Sequence, residues 1–387
     1  MIVRLCDCKC DVHNHTITQS HNHLRMDKRV RIIDIAKKAG VSKGTVDRVI
    51  HKRGNVAPKV EKKVRQVMKE LKYRPNIIAS TLASNKTWRI ATLLPDPKHD
   101  LFWVQPQQGI EHAIEATKDY GMHVDIFHYP DRDATAFLEK AKKVLKNKFD
   151  ALLLAPLYYN ESHQILDLCC KKKIPYGLIN TFIKREDDCC LFYLGQDSYH
   201  SGLLAAKLLD FGSSDGESVM VLHLEKGVFN SRHLMEKERG FQNFYIEHPT
   251  RNIQVIKTTF ETPEDTPAFK RFMELHLESY PKLKGIFVTT SKLHYLVKAL
   301  EGLSKRRIKL VGFDLIDANI QLLNAEKIDF LINQNPFKQG YQGIINIFNF
   351  LVRKHVFDPI QNLPLDVVMK ENASYYLKLP AELEYFV

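Results

Sequence analysis

The chain has 387 residues, 44% of them hydrophobic and 26% charged, with 57 Lys and Arg against 45 Asp and Glu for a net charge of +12. That composition suits a soluble protein of two or three domains. No apolar run approaches the ~20 residues needed to cross a bilayer, and no secretory leader pattern opens the chain. Its seven cysteines read as reduced thiols of a cytoplasmic protein rather than a disulfide framework, with the adjacent pairs Cys169–Cys170 and Cys189–Cys190 as buried small hydrophobes.

The charge is concentrated. Residues 28–89 carry 18 basic and 4 acidic side chains, a net of +14, while residues 1–27 balance and the remaining 298 sum to −2. A polyanion partner is therefore expected for one small module. Ahead of it, residues 1–27 hold Cys6, Cys8, Cys10, His13, His15, His21 and His23, which are metal ligands by type. Their spacing matches no usual structural zinc pattern. The preferred reading is a disordered extension or a start assigned upstream of Met26, with no metal and no cofactor.

Within the basic module, IIDIAKKAGVSKGTVDRVIH over residues 32–51 has helix-turn-helix spacing. Ala36 is small where two helices cross, Gly40 suits a turn needing positive φ, and Val46 falls on the buried face of the second helix. Ser42 is placed to N-cap that helix. Lys43, Gly44, Asp47 and Arg48 then point outward near its start, where a recognition helix meets base edges. Pro58 opens a third helix with Val60, Val64, Val67 and Leu71 on one face. Ala57 stands where a Ser or Thr cap is expected, so this helix start reads as weak. The unit is expected over residues 28–74. Residues 75–87 follow as a linker, or as a helix that forms only on DNA.

The stretch from about Val30 to Ala83 resembles the headpiece of the LacI/GalR family of bacterial transcription regulators. The resemblance implies DNA contacts from Ser42, Lys43, Gly44, Thr45, Asp47 and Arg48. It also implies a hinge helix over Asn76 to Ala83, with Asn76, Ser80, Leu82 and Ala83 on DNA and Leu82 as a minor-groove wedge. Two departures stand out. The family usually has Ser where this chain has Asp47, and Ser where it has Ala57. An acidic residue cannot contact phosphate favourably. Asp47 is suited instead to accept from a cytosine amino group or to pair with a base-reading Arg.

From Trp88 onward strand-like and helical segments alternate. The strand runs are RIATLLP, HVDIFHY, ALLLAP, YGLIN, VMVLHL, IQVIKTT, GIFVTT, KLVGFD and DFLINQ. Helices are expected between most of them, including 107–120, 134–147, 161–173, 199–211, 231–247, 266–279 and 317–327. The fold class is thus a small all-α helix-turn-helix domain followed by a two-lobed, doubly wound α/β domain over 88–387. The resemblance makes that domain similar to the periplasmic sugar-binding proteins. Lobe 1 is expected at about 88–193 and 336–358, and lobe 2 at about 194–335 and 359–387.

Ligands of open α/β sheets bind beyond the carboxyl ends of the strands. Phe102, Trp103, Asn180, Asp197, Asp314 and Gln334 lie at or near such ends, and Arg232 and Lys237 begin the helix after VMVLHL. Aromatic faces with amides and carboxylates suit a sugar. The resemblance implies contacts at Asp314 and Gln334, and at a position where Lys237 replaces the usual Arg. Each has a plainer alternative: Asp197 and Asp314 as helix caps, Phe102 or Trp103 as core, Gln334 as a backbone partner. No G-x-G-x-x-G, P-loop, G-x-S-x-G or H-E-x-x-H pattern supports an enzyme. The expected function is a sequence-specific repressor, acting as a homodimer on double-stranded operator DNA under control of a sugar-type effector. An activator, or a regulator of a non-sugar metabolite, stays open; an enzyme with a DNA-binding appendage is remote.

Overall fold

The computed structural model describes residues 30–50, 54, 56–71, 73, 86–130, 132–185, 189–249, 252–303 and 307–376. The Cys- and His-rich opening and the expected hinge contacts Asn76, Ser80, Leu82 and Ala83 lie outside them. The chain divides into two compact units at Asn76.

The first unit holds three helices, α1 Ile32–Ala39, α2 Lys43–Ile50 and α3 Pro58–Glu70. The Arg31 backbone amide donates to the Asp34 carboxylate (2.8 Å) at the start of α1, and Gly40 ends it at φ 66°. Only a residue free of a Cβ takes that left-handed turn without strain. Ile35, Ala36, Ala39, Val46, Val49, Val64 and Val67 form the core. No side-chain cap serves α3 at Ala57, and Pro58 instead presets its first turn.

The second unit contains two six-stranded sheets of the same design. The first has β1 Trp88–Pro95, β2 Met122–Tyr129, β3 Ala151–Leu154, β4 Tyr176–Ile179, β5 Cys190–Gly195 and β11 Ile360–Asn362, in the order β11-β5-β4-β3-β1-β2. The second has β6 Ser218–His223, β7 Gln254–Thr259, β8 Leu283–Val288, β9 Lys309–Phe313, β10 Phe330–Asn333 and β12 Asp366–Val368, in the order β12-β10-β9-β8-β6-β7. All pairs are parallel except β10 with β12. Runs such as ALLL and YGLI are buried at every position, as strands covered on both faces must be.

Around the first sheet lie α4 Val104–Thr117, α5 Ala134–Val144 and α6 Tyr159–Lys171. The second carries α7 Ser198–Asp210, α8 Arg232–Glu247, α9 Thr266–Ser279, α10 Leu293–Leu300 and α11 Asp317–Asn324. Then α12 Pro336–Arg353 returns to pack on α4, and the short α13 Ala373–Tyr376 follows β12. Helices α10, α12 and α13 and strands β5, β11 and β12 are not among the segments named from the sequence. The chain crosses between lobes three times, near Gln196, Gln334 and Leu363. This corrects the expected limits. β5 keeps the first lobe going to Gly195, and Ile360–Asn362 pairs with β5 in the first sheet, so the second lobe resumes only at β12.

Candidate DNA surface and effector cleft

On the first unit, burial of Val46 and Val49 turns the opposite side of α2 outward. Ser42, Lys43, Gly44 and Arg48 are exposed there, and Thr45 and Asp47 are half-buried. The Ser42 hydroxyl accepts from the Thr45 backbone amide (3.1 Å), the N-cap bond its position called for. A helix so capped presents its first turn and a half, with Lys43 and Arg48, as one rigid edge.

In the second unit a cleft runs between the lobes. It is lined by Phe102, Trp103, Asn180, Lys237, Asp314 and Gln334, so six of the eight effector candidates meet there. Asn180 follows β4 and Asp314 follows β9, which are equivalent strands of the two sheets. Both sit at positive φ (66° and 68°), and each donates its backbone amide to the neighbouring strand, Asn180 to Leu194 and Asp314 to Ile332. Asn and Asp accept this left-handed geometry better than other L-residues. The two sheets thus aim one short polar side chain each from opposite walls.

The floor of the cleft is a buried polar triad. The Gln334 side-chain amide donates to both Asp314 oxygens (2.8 and 2.7 Å). Lys237 donates to the Thr289 carbonyl (3.0 Å), with its ammonium 3.5 Å from the centre of the Phe313 ring. Burial pushes the Asp314 carboxyl up and the Lys237 ammonium down, and their mutual attraction opposes both shifts. The Gln334 carbonyl oxygen is buried without a partner among the described residues. Asp314 caps no helix: its carboxylate is held by Gln334. Phe102 and Trp103 meet edge to face at 4.9 Å; they belong to the first-lobe core and present only part of their surface to the cleft.

Two candidates are displaced. Asp197 accepts from the His200 backbone amide (2.9 Å) as the N-cap of α7. Arg232 pairs with Glu236 (3.2 Å). Both line a different hollow, because the first turns of α7 and α8 lie to one side of the crossover. Residues that sequence reasoning missed include Tyr158, Glu225, His233, Thr289 and Ser291. Glu225 and Thr289 follow the strand ends β6 and β8, so the strand-end rule applied evenly to every strand would have found them. Lys292 and Glu225 form a buried ion pair at the cleft. Burial opposes the Lys292 charge, but Glu225 and Asp100 hold its ammonium above the ordinary lysine value.

Among the described residues, four polar contacts tie the lobes across the cleft. Arg132 pairs with Glu264. The Asn230 side chain accepts from the Asn160 amide (2.9 Å) and donates to Glu161 (2.7 Å). Thr181 meets His233 at 3.2 Å. The space left is about 70 Å³, well under the ~300–1,000 Å³ of ordinary ligand pockets. Admitting a sugar-sized molecule therefore requires the lobes to part.

Comparison with known proteins agrees with this anatomy. Residues 90–353 match the periplasmic binding protein domain family, and residues 31–76 match the lacI family of bacterial regulatory proteins. The ribose operon repressor of Halalkalibacterium halodurans is 27% identical over 296 residues, covering 73% of this chain and 80% of that protein. Catabolite control protein A of Staphylococcus xylosus is 32% identical over 157 residues, covering 41% of this chain and only 46% of that protein. A structure assigned to a LacI transcriptional regulator of Bacteroides fragilis superposes with a TM-score of 0.68 at 27% identity, over 75% of this chain and 100% of the other. A solute binding protein of Agrobacterium vitis, solved with α-D-tagatopyranose, shares the fold at 24% identity with a TM-score of 0.65. With a helix-turn-helix unit at its start and a periplasmic-binding-protein domain over most of its length, this chain belongs to the lacI family of bacterial regulatory proteins.

Proposed function

We propose that the chain is a sequence-specific transcription regulator, a repressor, whose hold on double-stranded operator DNA is set by a sugar or sugar derivative bound between its lobes. The observation that carries this reading is the joining, in one chain, of a basic three-helix unit with an exposed Lys43–Arg48 edge to a hinged two-lobed domain with a polar cleft. In this reading the protein is cytoplasmic, acts as a homodimer on a pseudo-palindromic site, and has no catalytic role. The cleft offers amides, a carboxylate and aromatic faces to a ring with hydroxyls. A ligand that closes the lobes differently from the empty state changes the spacing of the paired DNA-binding units, a coupling of roughly 1–3 kcal/mol on the usual allosteric scale.

The test begins with selection of binding sites from random duplex DNA, followed by titration of the selected site against a panel of sugars. The expected result is a two-fold-related consensus whose affinity shifts about tenfold or more with one sugar class. No enrichment over random DNA would overturn the DNA-binding reading; enrichment with no response to any sugar would overturn the sugar.

A further inference from the structure

The two displaced candidates lie in a hollow of about 370 Å³ at the first crossover, which meets the effector cleft at His233 and is within the usual size range of ligand sites. Both lobes build it. Phe182, Tyr193 and Gln196 come from the first; the opening turns of α7 and α8 come from the second. Phe182 and Tyr193 meet at 5.2 Å, and the Arg239 guanidinium lies 4.9 Å from the centre of the Tyr199 ring. Arg232 and Arg239 share one carboxylate, that of Glu236, at 3.2 and 2.5 Å. Asp197 is occupied by His200 at 2.9 Å. The hollow's two guanidinium groups thus meet on a single carboxylate, with the second carboxylate, Asp197, turned to His200.

Gln196 is the second, independent observation. It is 2% exposed, lines the hollow, and leaves both its side-chain nitrogen Nε2 and its side-chain oxygen Oε1 without a partner among the described residues. A buried amide with neither end satisfied is costly, and native proteins keep few of them. A ligand that presents a donor beside an acceptor would satisfy both ends. The edge of adenine, with N6 and N7, is such a partner for a Gln amide. A flat ring suits the Phe182 and Tyr199 faces, and a phosphate suits the arginine forks.

We propose that this hollow is a second ligand site, for a purine nucleoside monophosphate or a close chemical equivalent, with Gln196 reading the base edge and Arg232 and Arg239 meeting the phosphate. Because both lobes line it, an occupant resists rotation at the crossover and so adjusts operator affinity from outside the cleft.

The experiment is calorimetric titration of the full chain with AMP, with adenosine and inorganic phosphate as partial probes. Three variants are used: Gln196→Met, Arg239→Ala and Asp314→Asn. AMP is expected to bind more tightly than either partial probe. Gln196→Met should weaken AMP about tenfold or more without lowering the melting temperature, since an apolar side chain of similar shape replaces an unpartnered amide. Arg239→Ala should weaken AMP but not adenosine, and Asp314→Asn should leave AMP binding unchanged. Three results would overturn the proposal: no binding at millimolar AMP, equal affinity in wild type and Gln196→Met, or a loss confined to Asp314→Asn, which would place AMP in the cleft. Each of these leaves the sugar-effector reading to stand or fall by its own titration.

Discussion

Asp314 is placed to contact a ligand because three constraints converge on it: positive φ at a strand end, burial, and a carboxylate already engaged by Gln334. Removing the side chain would strand the Gln334 donor and leave a void, so alanine tests stability as much as binding. Asparagine keeps the shape and one acceptor. Asp314→Asn should preserve operator binding while losing about 1.5–3 kcal/mol of effector affinity, as expected for a charge-assisted hydrogen bond. Paired titrations of ligand and operator on one preparation check this, and an unchanged ligand Kd would remove Asp314 from the site.

His233 supports a pH prediction at the same scale. Burial, and then the Lys237 charge, push its imidazole well below the ordinary value of 6.5. The residue as a whole is only half-buried, which makes the shift smaller than for a sealed ring. The folded state therefore binds this proton less readily than the unfolded chain. Stability is fully present above pH 6.5 and falls as pH drops below it, by at most about 1.4 kcal/mol per pH unit for one proton. Denaturant melts of wild type and His233→Gln between pH 7 and 5 should diverge, the variant losing less; parallel pH profiles would show that His233 stays free to protonate in the fold.

At the scale of elements, the two lobes reuse one packing device. A Cβ added to Gly202 would lie 2.0 Å from the Lys237 carbonyl oxygen, and one added to Gly240 would lie 2.0 Å from that of Tyr199. In the first lobe, Gly109 and Gly340 stand in the same relation to Phe337 and Pro106, at 2.1 and 1.9 Å. Each lobe therefore closes one helix pair, α7 with α8 and α4 with α12, through reciprocal glycines that let backbones touch. Lys237 rides on α8 one turn before Gly240. Gly240→Ala should cost about 1–3 kcal/mol by overpacking and should also weaken effector binding, by shifting Lys237 and His233. A denaturation midpoint equal to wild type would show that the helices can separate freely, and that this contact does not position the cleft.

At the scale of the whole molecule, charge is uneven along the chain: net +14 over residues 28–89 against −2 over the 298 residues after them. DNA affinity should accordingly be strongly salt-dependent. Arg48→Ala should cost roughly 1–3 kcal/mol on the selected operator if it reads a base, leaving the salt slope unchanged. A phosphate role would lower affinity on all sequences and flatten the slope by about one. Anisotropy titrations across a salt series separate the two. Unchanged binding on both specific and random DNA would show that the exposed edge of α2 is not the DNA surface.

The helix-turn-helix was legible in the sequence because its determinants are local. Ser42, Gly40, Ala36 and Val46 lie within a dozen residues, and each acts through caps, turns and helical period. The alternation of strand and helix was legible for the same reason, and five of the six candidates that line the cleft lie at or near strand ends. What sequence could not decide was assembly. Cys190–Gly195, Ile360–Asn362 and Asp366–Val368 are strands because a neighbouring strand pairs with them, not because of their own pattern. Arg232 sits between Ser231 and His233, which reach the cleft, and Asp197 follows a strand end, yet the first turns of α7 and α8 place both in the neighbouring hollow. Local chemistry follows from neighbours in sequence. Which polar groups share a cavity depends on how two sheets, each crossing to the other, are set face to face.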